Sequence, residues 1–138
     1  MLPVTETTVR LFLHVLGATV WIGGQIVLAG VIPVLRQNAS PETVRAVARR
    51  FQFIAWPAYA LLLATGVWNL FAVSVGDQDS EYLTTLFVKL LLVGVSGACA
   101  AAQVVVARRN PAVGGALAGL ALLSALGAAF LGVLLGNG

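Results

Sequence analysis

Four long apolar runs constrain the fold of this chain more than any other feature of its sequence. A helix needs ~20 apolar residues to cross the ~30 Å hydrocarbon core of a bilayer. The runs are at least that long and cover about residues 11–35, 53–75, 83–107 and 112–135. They lack the alternation of polar and apolar side chains that marks membrane β-strands. We therefore predict an all-α fold, an integral membrane four-helix transmembrane bundle that forms a single domain over residues 1–138.

The composition agrees with lipid as the solvent for much of the surface. Hydrophobic residues make up 59% of the chain and charged residues 9%, whereas a soluble domain carries roughly 25% charged residues. The single cysteine, Cys99, excludes an intrachain disulfide and a CxxC metal site. The first apolar run exceeds the length of a signal-peptide core, so we expect it to be the first span of the mature protein.

The distribution of charge predicts the orientation of the spans. Cytoplasmic loops of membrane proteins carry an excess of Lys and Arg. Arginines occupy the first and third loops, at positions 36, 45, 49, 50, 108 and 109, whereas the second loop is acidic, with Asp77, Asp79 and Glu81. Both termini are therefore predicted to lie outside, in a multi-pass protein of a bacterial inner (plasma) membrane. The basic residues serve as topology signals on this interpretation, and no nucleic-acid partner is expected.

The first loop contains a helix signal of its own. Ser40 followed by Pro41 is typical of an N-cap and a first helical position. Apolar residues then recur at helical spacing, with Arg45 and Arg49 on another face. This pattern predicts a short interfacial helix over about residues 41–52 that leads into the second span.

The fourth run is rich in small residues and almost devoid of polar ones. It contains two GxxxG patterns, Gly115 with Gly119 and Gly132 with Gly136. Such patterns allow helices to approach closely in lipid. They fit packing inside the bundle and packing in a homo-oligomer or larger membrane complex equally well.

Two ionisable residues lie inside the predicted spans, His14 and Lys89. Charge within a membrane is costly and invites a functional hypothesis. Counted from the outer ends of their spans at 1.5 Å per residue, His14 lies ~6 Å deep, and Lys89 and Asn69 lie ~9 Å deep. These three residues are predicted to line an outward-facing polar pocket. Alternatively, Lys89 snorkels to the surface and His14 forms a structural hydrogen bond between helices.

Each of the first three spans carries a polar stripe that we expect to face inward. His14, Trp21 and Gln25 share a face of the first span, and Thr65 and Asn69 are one turn apart on the second. Trp21 is a candidate to contact a cofactor, with helix packing as the alternative. Copper prefers soft ligands, and the chain offers few of them. Haem needs one strong imidazole, with a second available from a partner subunit, so the residues favour haem b over copper.

The first span also carries a family resemblance. The stretch 13–36, with its early His, its Trp-x-Gly-Gly and its late Pro, resembles the opening span of copper-resistance protein D (CopD) domains and of HemJ-type protoporphyrinogen oxidases. The Thr65-Gly66 pair and the Lys-Leu-Leu-Leu that starts at Lys89 continue the pattern, so the resemblance covers roughly residues 9–109.

The resemblance implies a helical bundle in which His14 and Lys89 are the functional positions, with the histidine associated with haem b. HemJ-type chains carry further histidines in the third span, where this chain has Gly97-Ala98-Cys99-Ala100, so protoporphyrinogen oxidase activity is not expected. The sequence thus predicts a metal centre near the outer face, most simply haem b bound by His14 in a redox or haem-handling role. Copper transport or copper resistance, and a structural small subunit of a larger membrane complex, are the alternatives.

Overall fold

The protein is built from four long α-helices. The computed structural model describes residues 1–137 and contains α1 (Glu6–Asn38), α2 (Pro41–Ala72), α3 (Ser80–Val106) and α4 (Pro111–Asn137), with one short 3₁₀ helix (Val75–Asp77) and no strand in that part of the chain. All four helices are long and apolar enough to cross a membrane. The prediction of an all-α, four-helix membrane protein is confirmed.

Polar caps fix where each helix begins. Thr5 and Thr8 form a reciprocal capping box at the start of α1. The other three helices begin after Ser40, Asp79 and Asn110, whose side chains accept hydrogen bonds from main-chain N–H groups at 3.2, 2.7 and 3.2 Å. These bonds satisfy N–H groups that have no partner within the helix. The predicted N-cap at Ser40, followed by Pro41, is confirmed.

The helices are longer than the spans predicted from apolarity. With 33 and 32 residues and a rise of 1.5 Å per residue, α1 and α2 are ~50 Å long and extend beyond a ~30 Å hydrocarbon core. Residues 41–52 do not form a separate helix, because they continue without a break into the rest of α2. The second predicted span reached residue 75, but α2 ends at Ala72 because a turn and the 3₁₀ helix follow it.

The first compact unit, Met1–Val73, contains α1 packed against α2. The two backbones come close together at Gly17, where an added Cβ would lie 3.0 Å from the carbonyl oxygen of Ala58 and 3.2 Å from the main-chain nitrogen of Leu62. Trp21, Ala55 and Ala58 are buried at this crossing. The small residues therefore allow the two backbones to approach as in other membrane helix pairs.

The second compact unit, Ser74–Gly138, contains α3 packed against α4. The hydroxyl of Ser96, the most buried side chain of α3, donates a 2.7 Å hydrogen bond to the carbonyl of Ala121. Small residues of α4 form the buried face: Ala121, Ser124, Ala125 and Ala128. Within the described chain, added Cβ atoms at Gly115 and Gly119 would meet nothing within 4 Å, so this GxxxG pattern is not the contact between α3 and α4.

Candidate functional site

A hydrogen bond between α1 and α2 fixes the orientation of His14. Its Nδ1 lies 2.8 Å from the hydroxyl oxygen of Thr65, and that hydroxyl lies 2.8 Å from the carbonyl oxygen of Leu61. A hydroxyl has one proton to donate, and the carbonyl can only accept. Thr65 therefore donates to Leu61 and accepts from the N–H at Nδ1. In the neutral imidazole this arrangement leaves the lone pair on Nε2.

One helical turn before His14, Arg10 connects the same two helices. Its Nε donates a 2.6 Å hydrogen bond to Oδ1 of Asn69, and its Nη1 lies 3.7 Å from Oε1 of Glu6. Arg10 is only 8% exposed. A guanidinium is buried at so low an exposure only when polar partners compensate for the lost water, and Asn69 supplies that compensation here.

Glu6 completes the polar arrangement at the start of α1. The indole Nε1 of Trp68 donates a 3.2 Å hydrogen bond to Oε1 of Glu6. This carboxylate oxygen thus faces both Arg10 and the indole. The negative charge at the first turn of the helix is also favourable to the helix dipole.

We call these six residues the polar ladder, because they form successive connections between α1 and α2. Its members on α1 are Glu6, Arg10 and His14, and its members on α2 are Thr65, Trp68 and Asn69. Residues four apart lie on one face of a helix. From Arg10 to His14 along α1, the partner on α2 moves back one turn, from Asn69 to Thr65, as expected for antiparallel helices.

Gly66 leaves room beside the imidazole. An added Cβ at Gly66 would lie 3.7 Å from Cε1 of His14, which is an ordinary contact distance. The ring itself is half-buried. The Cε1 edge, which adjoins both ring nitrogens, is therefore flanked by a residue that has no side chain.

Trp21 lies about two turns further along α1, within an aromatic cluster. Its ring centroid is 5.4 Å from that of Trp56 and 4.5 Å from that of Tyr59. With 2% of its surface exposed, Trp21 has the environment of a packing residue. Gln25 donates to the carbonyl of Trp21 at 3.1 Å, a bond within α1 rather than between helices.

Lys89 lies in the second unit, where it packs over α4. An added Cβ at Gly132 would lie 3.1 Å from Nζ of Lys89. The missing side chain at Gly132 therefore makes space for the end of the lysine side chain.

His14 and Asn69, two of the three residues predicted to line an outward-facing pocket, both belong to the polar ladder of the first unit. That Lys89 shares their level in the membrane stays a prediction.

The metal-binding side chains of the described chain are scattered rather than clustered. No set of three or more His, Cys, Asp or Glu residues that could hold a metal ion occurs within residues 1–137. Cys99 is half-buried in α3. This distribution does not support a metal ion bound by several side chains of one chain. It is compatible with a cofactor that needs a single imidazole.

Sequence reasoning missed three members of the polar ladder. Arg10 directly precedes the first apolar run and is predicted to mark its boundary, although the residue is buried. Trp68 is predicted to be a packing residue, and nothing in the sequence singles out Glu6. The spacing offered a signal, because Glu6, Arg10 and His14 are four apart and so share a face of α1.

No family model, no curated protein and no solved structure matches this chain.

Proposed function

We propose that the protein binds haem b through His14, near the outer face of a bacterial inner membrane and with both termini outside. The observation that supports this proposal is the bond from Nδ1 of His14 to Thr65. Histidines that ligate metals commonly donate their other N–H to a nearby acceptor, which fixes the tautomer and the ring orientation. In that tautomer Nε2 carries the lone pair and would be the atom that holds a haem iron.

Arg10 is the second residue that suits a haem. A guanidinium has five N–H donors, and Asn69 and Glu6 engage only part of it. The remaining donors suit a propionate carboxylate, which Arg binds with paired, charge-assisted hydrogen bonds. In this proposal Asn69 and Glu6 position the guanidinium, and His14 positions the iron. A bound haem would supply one-electron transfer.

A second histidine that would hold the haem is proposed to be the His14 of another copy of the chain. His14 is the only histidine in the sequence, so a second imidazole for a haem would have to come from a partner. A homo-oligomer satisfies this requirement with a single type of site. A larger membrane complex that supplies a histidine would satisfy it too.

A visible absorption spectrum tests the proposal. The protein is expressed with a haem precursor and purified in detergent as wild type, His14→Ala and Gln25→Ala. Gln25→Ala is the matched control, because it removes a polar side chain from the same helix that bonds only within α1. We expect a Soret band in the wild type and the control and its loss in His14→Ala, with circular dichroism showing folded protein throughout.

Two outcomes contradict the proposal. They are a folded wild type without a Soret band and a band that survives in His14→Ala. Copper transport is the first alternative, and it would appear as stoichiometric Cu(I) binding by the colourless protein. A structural small subunit of a larger complex is the second, and it predicts neither a band nor bound copper.

A further inference from the structure

A second feature of the α1–α2 unit lies at the end opposite to the polar ladder. It is a cleft of about 480 Å³ between the two helices, a size within the range of ligand pockets. Its walls are apolar apart from one residue, Arg50. We call this feature the Arg50 cleft. It is lined by α1 residues between Val20 and Val31 and by α2 residues between Val47 and Ala55.

Glycines create the cleft. Gly23 and Gly24 lie on its α1 wall, and an added Cβ at Gly23 would meet nothing within 4 Å in the described chain. Phe51 forms part of the opposite wall and reaches across to Gly24, where an added Cβ would lie 2.7 Å from its ring. The two helices therefore separate beside an aromatic contact and leave an apolar space between them.

The dimensions and charges of the cleft match a phospholipid. From Val20 to Val31 the cleft follows α1 for ~16 Å at 1.5 Å per residue. One leaflet of a ~30 Å hydrocarbon core is about as deep. Arg50 lies towards the end of the cleft nearest the turn between α1 and α2. Three further arginines lie on either side of this turn in the sequence: Arg36, Arg45 and Arg49.

Acidic residues are scarce around these arginines in the sequence. The segment 31–55 holds four arginines and a single acid, Glu42. Within residues 1–137 none of these four arginines forms an ion pair, whereas Arg10 pairs with Glu6. Arg50 contacts the ring of Phe53, with 5.7 Å from Cζ to the centroid, which orients the guanidinium without removing its charge.

We propose that the Arg50 cleft is a binding site for one anionic phospholipid, with an acyl chain in the cleft and the phosphate on Arg50. An apolar cleft with a cation at its head suits a molecule with an apolar tail and an anionic headgroup. Basic pockets beside membrane helices on the cytoplasmic side bind anionic headgroups, and the predicted orientation places Arg50 on that side. This site is independent of the haem proposal.

Native mass spectrometry of the full chain in detergent tests the site. The probes are phosphatidylglycerol and phosphatidylcholine with the same acyl chains, which differ in charge. We expect wild type to retain phosphatidylglycerol preferentially. Arg50→Gln should weaken its retention about fivefold, the effect of one arginine near a membrane surface, while retention of phosphatidylcholine stays the same. Inorganic phosphate added in excess should not displace the lipid, because it has no acyl chain.

Two matched controls distinguish an effect at the cleft from a general effect of lost charge or added side-chain volume. Arg45→Gln removes the same charge outside the cleft and should leave retention unchanged. Gly23→Leu fills the cleft and should reduce retention of both lipids, whereas Gly30→Leu adds the same side chain at a position that does not line it. If Gly23→Leu does not fold, Gly23→Ala gives a smaller loss. Equal losses in Arg45→Gln and Arg50→Gln, an unchanged folded Gly23 variant, or displacement by phosphate would overturn the proposal.

Discussion

The bond between His14 and Thr65 gives the most direct test of the site geometry. Thr65→Val replaces the hydroxyl by a methyl group of similar size, at a position only 3% exposed. The carbonyl of Leu61 keeps its helical partner, the main-chain N–H four residues on. The change therefore removes the hydroxyl oxygen that accepts the hydrogen bond from the N–H at Nδ1 of His14.

The size of the effect follows from the setting of the bond. Hydrogen bonds between membrane helices contribute about 0.6 kcal/mol on average and about 1.7 kcal/mol at most. The bond is short at 2.8 Å, but the imidazole is only half-buried. We expect an interaction free energy of about 0.5–1 kcal/mol between His14 and Thr65 in a double-mutant cycle.

The assay is reversible unfolding in mixed micelles with increasing sodium dodecyl sulfate. Four proteins complete the cycle: wild type, His14→Ala, Thr65→Val and the double variant. A control cycle pairs His14→Ala with Thr43→Val, at the far end of α2, and should be additive because the sites are distant. Thr65→Ser keeps the hydroxyl and should retain most of the coupling. Coupling below about 0.3 kcal/mol, the usual error of additivity, would refute the assigned bond.

Two further predictions concern the packing of each helix pair. Gly17→Leu should lower the free energy of unfolding by more than about 1 kcal/mol, because its Cβ would press on the main chain at Ala58 and overpacking is destabilising. Gly30→Leu is the control, because an added Cβ at Gly30 would meet nothing within 4 Å in the described chain, and it should be neutral or stabilising. Similar losses in the free energy of unfolding for both variants would argue against the close crossing at Gly17. Ser96→Ala should reduce stability by roughly 0.6 kcal/mol through loss of its bond to Ala121, measured by the same unfolding assay, and an unchanged midpoint would contradict it.

The fold was predictable because lipid imposes a simple requirement on sequence. A spanning helix needs a long apolar run, and each of the four runs became a helix. The boundaries were less predictable. Residues 41–52 carry enough charge to look interfacial, yet one helix continues from Pro41 through Pro57 to Ala72. At residues 73–75 the side chains stay largely apolar although the backbone turns, and apolarity alone cannot mark that end.

The site was predictable in part. His14 and Asn69 were expected on inward-facing stripes, and both take part in bonds between α1 and α2. The burial of Arg10 was not predicted, because an arginine at the edge of an apolar run usually marks a membrane boundary. Asn69 on the facing helix, together with Glu6 one turn earlier on α1, makes the buried guanidinium favourable. Pairwise geometry of this kind is absent from the hydropathy pattern of a single helix.

The polar ladder and the Arg50 cleft divide one helix pair into two regions with opposite chemistry. From His14 to Val27, in the middle of the cleft wall, α1 rises ~20 Å, and the tight crossing at Gly17 and the buried ring of Trp21 lie between them. Substitutions this far apart, with no shared partner, act additively. Changes at Arg50 should therefore leave a haem spectrum intact, and changes at His14 should leave lipid retention intact. If one substitution changed both the haem spectrum and the lipid retention, the helix crossing between the two sites would need two alternative arrangements. The close contact of Gly17 with the backbone of α2 argues against a second arrangement.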